Sequence, residues 1–140
     1  MSGAIPKRVR VSTGNKYEVS VGYSRATRVG DQVFVSGTTA LNRAGELVGG
    51  ADPYLQTKAT LETVRWALEQ CGAALDDVVR YRVYLVRAGD IAEVSRALAE
   101  AFMGVRPSNT LVIVAALADP GMLVEIDADA IIGSALPLDG

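Results

Sequence analysis

The chain has no histidine. Ser-His-Asp and Cys-His arrangements, imidazole metal ligands and an imidazole general base are all excluded by that one absence. There is also only one cysteine, Cys71, so a zinc site would rest on carboxylates almost alone, which zinc rarely accepts. No metal and no other cofactor is therefore expected, and chemistry must come from carboxylates, hydroxyls, amides, tyrosines, lysine or arginine. Neither charge sign dominates: 14 basic residues face 16 acidic ones, the net charge is −2 and the pI is near 5.1. Such a balance gives no general attraction to nucleic acid. No apolar run approaches the ~20 residues a membrane helix needs. With no signal-peptide pattern and a single cysteine, a cytoplasmic protein is expected.

What is present suits one compact domain over residues 1–140. Hydrophobic residues make up 49% of the 140, and at that length folding hides roughly two-thirds of the unfolded surface without a disulfide or metal. There is no internal repeat, linker or low-complexity segment. Lys7, Arg8 and Arg10 cluster near the start and read as a solvated strand edge around Val9-Arg10-Val11. Tyr23 to Arg28 and Gln32 to Ser36 flank Gly30-Asp31 with hairpin-like spacing, and Asn42-Arg43-Ala44-Gly45 has turn chemistry.

Asp52-Pro53 opens a helix: Asp52 can cap free amides and Pro53 fits the first helical position. Leu61, Val64, Leu68 and Cys71 form its apolar stripe, and Gly72 ends it. Trp66 lies off that stripe, half-buried on the flank. Val78 to Val86 is a strand carrying Arg80 and Arg82 on one face. Asp90 and Glu93 match a capping box for a second helix, with Ile91, Val94, Leu98 and Ala101 inward and Gly104 closing it. Leu111 to Leu117 and Met122 to Ile132, joined through Asp119-Pro120-Gly121, read as a hairpin. Val33 to Val35 and Leu111 to Leu117 are apolar on both faces, as in strands buried on both sides. Two helices cover only one face of such a sheet, so a second copy of the chain is the economical cover for the other.

The stretch from Pro107-Ser108-Asn109-Thr110 to Val124-Glu125-Ile126-Asp127 resembles the C-terminal signature of the RidA/YjgF family, Pro-Ala-Arg-Ser/Thr followed by an apolar strand, a turn and Val/Ile-Glu-Ile-Glu. Gly22-Tyr23-Ser24, Val35-Ser36-Gly37 and Leu75-Asp76-Asp77-Val78-Val79 match further family segments in the same order. The resemblance implies an α+β, chorismate-mutase-like domain: a mixed six-stranded sheet with two helices on one face, assembled as a homotrimer. It also implies imine or enamine hydrolysis in a cleft between subunits, with a small-molecule ligand and no nucleic acid or membrane partner. A non-catalytic ligand-binding or regulatory trimer is the alternative reading, and a ribonuclease the third.

Carried over by position, the resemblance makes Glu125 the catalytic carboxylate and Tyr23, Asn109 and Gly37 substrate-binding residues. Asn109 stands where the family has arginine. An arginine's charge-assisted bond contributes roughly 1.5–3 kcal/mol, about 10- to 150-fold in affinity, and an asparagine has no charge to offer. Little activity is therefore expected on imino acids derived from serine or threonine. Ser95 and Leu98 stand where family members often have asparagine and tyrosine, implying a less polar pocket wall. Two simpler roles compete: Glu125 as an ion-pair partner of Arg80 or Arg82, and Asn109 as a partner for backbone groups at a strand start. Arg25, two residues after Tyr23, reads as a surface arginine, the alternative being that it supplies the missing cation from a different backbone position.

Overall fold

A computed structural model describes residues 4–135. Six strands, β1 (Arg8–Val11), β2 (Ala26–Val29), β3 (Gln32–Thr38), β4 (Val78–Leu85), β5 (Ser108–Ile113) and β6 (Val124–Ile131), form one sheet in the order β1-β2-β3-β6-β4-β5. All pairings are antiparallel except β4 with β5, so the sheet is mixed. Two helices, α1 (Pro53–Gln70) and α2 (Ile91–Phe102), complete the α+β domain. This is the expected fold class.

The first helix begins and ends as its residues dictate. The Asp52 carboxylate accepts from the amides of Tyr54 and Leu55, and Pro53 occupies the first turn. At the other end Gly72 takes φ +80, a conformation that suits a residue without Cβ, and the Ala73 amide donates to the Leu68 carbonyl at 2.9 Å. Leu61, Val64, Leu68 and Cys71 are all buried, as their spacing predicts. Trp66 packs partly buried against the core, with the Arg43 guanidinium stacked 3.7 Å from its ring centre. At 25–30 cal/mol per Å² of apolar surface, each fully buried side chain of this stripe contributes about 1.5–3 kcal/mol before entropy is counted.

The second helix departs from expectation in two ways. Asp90 makes no capping bond; its carboxylate accepts from Arg87 Nε at 3.0 Å, while Glu93 accepts from Arg96. The capping box is thus absent because both acids have nearby arginines. Ile91 is also exposed, and the inward face is Val94, Ala97, Leu98 and Phe102. Phe102 stacks on Tyr81 of β4 with ring centres 4.3 Å apart, which sets α2 on the same sheet face as α1.

The terminal hairpin is the main correction. β5 ends at Ile113 rather than Leu117, and β4 lies between β5 and β6. Residues 114–123 cross over β4 instead of turning back on β5. Gln56, fully buried in α1, fixes that crossing: its amide donates to the carbonyls of Gly50 and Gly121, and its oxygen accepts from the Leu123 amide. A long connection held this way removes the need for a tight turn. It also sets the point from which β6 starts, and with it Glu125.

The strands are not buried on both sides within this chain. Val33 and Val35 are buried beneath the helices, whereas Phe34, Val112 and Ile131, on the other pleat, are each more than 40% exposed. The helix-free face therefore carries apolar residues beside a charged ladder, in which Arg82 pairs with Asp127 at 2.7 Å and Asp129 at 3.5 Å.

Candidate functional site

Glu125 is the second residue of β6 and shares its pleat with Asp127 and Asp129, on the helix-free face. Its backbone faces Tyr84 of β4 in register. On the other side, β3 is irregular between Val35 and Thr38, and Gly37 sits in that irregularity. A Cβ at residue 37 would collide with the Glu125 carboxylate. The missing side chain is what gives the carboxylate its space.

Among the described residues Glu125 forms no ion pair and accepts no hydrogen bond. Arg82, one of the two cations expected to pair with it, is taken by Asp127 and Asp129. The Tyr84 hydroxyl donates to Asp127 at 2.8 Å and not to Glu125. Half-buried without a hydrogen-bond donor, Glu125 has its pKa pushed above the ordinary 4.5 by desolvation; the nearby Arg25 charge opposes this and Asp127 reinforces it.

Arg25 is not a surface arginine. It is 6% exposed, just ahead of β2, where its amide donates to Val11 and its carbonyl accepts from Ser36. Nη1 donates to Thr38 Oγ1 at 3.3 Å, the Tyr23 ring centre is 5.5 Å from the guanidinium carbon, and Nε stands 3.7 Å from Glu18 Oε2. The last distance permits attraction but not a hydrogen bond, and both Nε and Nη2 are buried without an acceptor.

Glu18 went unnoticed in the sequence. It is 3% exposed in a π-helical turn over Glu18–Gly22, and it accepts from the hydroxyls of Ser12 and Thr13 and the amide of Thr13. The signal available was a Ser-Thr pair five to six residues ahead of an acid in a segment with no apolar periodicity. Tyr23, at the end of that turn and not within a strand, joins Glu18, Ser12, Arg8 and Arg10 around an open groove of about 590 Å³.

The structure thus sets Gly37 against Glu125 and the Tyr23 ring over Arg25, whose charge acts on Glu125. It does not bring Asn109 to them. That residue pairs with Tyr81 on edge strand β5, three residues along and two strands across from the Glu125–Tyr84 row, about 10 Å in each direction. Its side-chain amide donates to the Tyr81 carbonyl at 3.2 Å, the backbone role considered for it. Leu98 belongs to the hydrophobic core rather than a pocket wall, and Ser95 is exposed on α2. Among the described residues no group of three acidic or cysteine side chains is placed to hold a metal.

A six-stranded mixed sheet with two helices on one face, and a carboxylate lodged against a strand glycine, defines a small α+β protein of the YjgF type. Residues 13–132 match the model of the family described as Endoribonuclease L-PSP, and the chain belongs to that family. It is similar to a YjgF/YER057c/UK114 family member from Mycobacterium tuberculosis, with 44% identity, a TM-score of 0.82 and coverage of 90% of this chain and 100% of that one. An uncharacterized protein of Streptomyces coelicolor is 39% identical over 89% of this chain and 92% of its own length. A RutC family protein of Pyrococcus abyssi is 37% identical over 76% and 83%.

Proposed function

We propose that this protein is a homotrimeric hydrolase of imines or enamines, a deaminase working on a small cytoplasmic metabolite in clefts between subunits. The observation that carries the reading is Glu125, a half-buried carboxyl without an ion pair, its pKa raised toward the range useful for proton transfer, in a space kept open by Gly37. In the ionised form it accepts a proton from water as the water oxygen bonds to the C=N carbon and the nitrogen gains a proton. Glu125 then returns its proton to the amine nitrogen of the carbinolamine, the C–N bond breaks with its electron pair leaving on ammonia, and the hydroxyl gives up its proton to solvent water, which replaces the one the nitrogen first took, leaving a carbonyl. No metal or cofactor is required for that balance. An enamine enters the same route after tautomerising to the imine.

A trimer in which another chain covers the helix-free face would enclose Glu125 and supply the wall that Asn109 does not reach within its own chain. The exposed Phe34, Val112 and Ile131 support that arrangement. Hydrolysis assayed over neutral and acidic imines, with the wild type and Glu125→Gln side by side, tests the proposal. Turnover lost in the variant supports it, and no turnover of any imine by the wild type overturns it. The second reading, a trimer that binds a small molecule without catalysis, is favoured by Asn109 spending its amide on the Tyr81 carbonyl.

A further inference from the structure

The register of β4 on β6 gives Arg82 a choice of acids. Tyr84 faces Glu125, Arg82 faces Asp127 in the next row, and Arg80 faces Asp129 in the row beyond. Diagonal neighbours on facing strands stand about 7–8 Å apart, within reach of long side chains. Arg82 therefore has Asp127 directly opposite, with Glu125 on one diagonal and Asp129 on the other. It takes Asp127 at 2.7 Å and Asp129 at 3.5 Å. Glu125 is left out.

Tyr84 explains why the choice falls that way. Residues 82, 84, 125 and 127 are the corners of one square on the helix-free face. The Tyr84 hydroxyl donates to Asp127 Oδ2 at 2.8 Å, and Arg82 Nη1 donates to Asp127 Oδ1 at 2.7 Å. The Tyr84–Asp127 contact runs along one diagonal of the square. A contact from Arg82 to Glu125 would run along the other and cross it. Asp127 thus holds the cation with one oxygen and, with its second, fixes the ring that bars the cation's path.

We propose that Asp127 and Tyr84 are positioning residues for Glu125: with Asp129 they hold Arg82 away, and so keep the carboxyl free of an ion pair. The inference rests on the reading of Glu125 as the reactive group. An arginine bonded to Glu125 would occupy its lone pairs, and a base must release such a donor before it takes a proton from water. The other groups facing Glu125 do not replace this device. Arg25, ahead of β2, stands by Glu18 and bonds to Thr38, and β3 has no titratable side chain.

The double variant Asp127→Ala with Asp129→Asn removes both competing charges and the acceptor of the Tyr84 hydroxyl. Glu125 is then the carboxylate left to Arg82. In a crystal structure of this variant the guanidinium should lie within hydrogen-bond distance of Glu125. Carbon-detected NMR should show the Glu125 carboxyl titrating at lower pH than in the wild type. Imine turnover at neutral pH should fall about 10- to 150-fold, the range of one charge-assisted bond. Adding Arg82→Gln removes the captured cation and should restore both titration and rate, a rescue that a merely structural role for the acids would not show. Arg80→Gln in its place, one row further from Glu125, should restore neither. If the alanine variant is poorly folded, Asp127→Val suits a strand better and asks the same question.

An Arg82 that stays away from Glu125 in the folded double variant overturns the inference, as does a rate loss that Arg82→Gln fails to repair. The crystal structure and the titration need no turnover, so they separate this inference from the proposed hydrolysis. Capture of Arg82 by Glu125 in the variant, with a wild type that hydrolyses no imine, keeps the positioning and removes the enzyme. Wild-type turnover that the double variant leaves unchanged does the reverse.

Discussion

Gly37 and Glu125 are in steric register: a methyl group on residue 37 would overlap the Glu125 carboxylate. The backbone of Gly37 has no positive φ, so alanine fits the strand and the clash falls on a flexible side-chain end. Gly37→Ala should therefore change stability by no more than about 1 kcal/mol, the entropy gained by losing a glycine offsetting the local shift. Activity should fall roughly 100-fold, because a carboxylate displaced by about 1 Å no longer meets its water. Thermal melts together with imine turnover check this. A large loss of stability, or unchanged turnover, would refute the spatial argument.

Glu125 should also leave a mark on stability against pH. Its folded pKa is raised above the ordinary 4.5, mainly by desolvation, with Arg25 opposing and Asp127 reinforcing the shift. A group raised on folding favours the folded state most below its unfolded pKa, and that contribution is lost as pH rises through the folded value. Denaturant melts should show Glu125→Gln gaining on the wild type as pH goes from below 4.5 toward neutrality. Turnover by the wild type needs the ionised carboxylate, so its rate should rise over a pH range above 4.5. The variant should lose about 100- to 10,000-fold in rate. If Glu125→Gln is instead destabilised at neutral pH, the carboxylate serves as an ion-pair partner.

The sequence spoke clearly where local chemistry decides structure. Asp52, Pro53 and Gly72 marked the ends of α1, and the spacing of Leu61, Val64 and Leu68 gave its buried face. Alternation in Val124–Ile131 put Glu125 opposite Val124 and Ile126, as found. It was silent where partners are distant in the chain. Nothing between Ile113 and Val124 reveals that β4 inserts between β5 and β6, since the crossing is held by Gln56, 65 residues before Gly121. Arg25 looked exposed for the same reason: its burial depends on Glu18 in an irregular turn and on Thr38 across a bulge, neither of which shows in any period.

Asn109→Arg tests how much of a family-like site survives. The substitution removes an amide that donates to the Tyr81 carbonyl, an edge-strand bond whose loss costs about 1 kcal/mol. If a neighbouring subunit presents its Glu125 to this edge, the new charge should create or raise hydrolysis of 2-aminoacrylate by about 10- to 150-fold. The wild type should be poor on that substrate. Rapid 2-aminoacrylate turnover by the wild type would contradict the argument from the missing charge at position 109. A variant that folds but stays inactive would show that residue 109 does not reach the cleft.

The helix-free face should be an interface between copies of the chain. Phe34 on β3, Val112 on β5 and Ile131 on β6 are 42%, 41% and 41% exposed, and they share the face with acids partly paired within the chain. Arg82 pairs with Asp127 and Asp129, and Tyr84 donates to Asp127. Covering the face thus hides apolar surface over a ladder already paired through Arg82, and leaves Glu125 as the unpaired carboxyl enclosed by it. Light scattering at micromolar concentration should give three times the 14.7 kDa of one chain. Val112→Asp puts an unpaired carboxylate into that contact, and because Val112 is exposed in the single chain, the variant should dissociate without unfolding. A well-folded wild-type monomer would remove the interface and with it the shared cleft. A dimer would keep the interface but not the threefold arrangement.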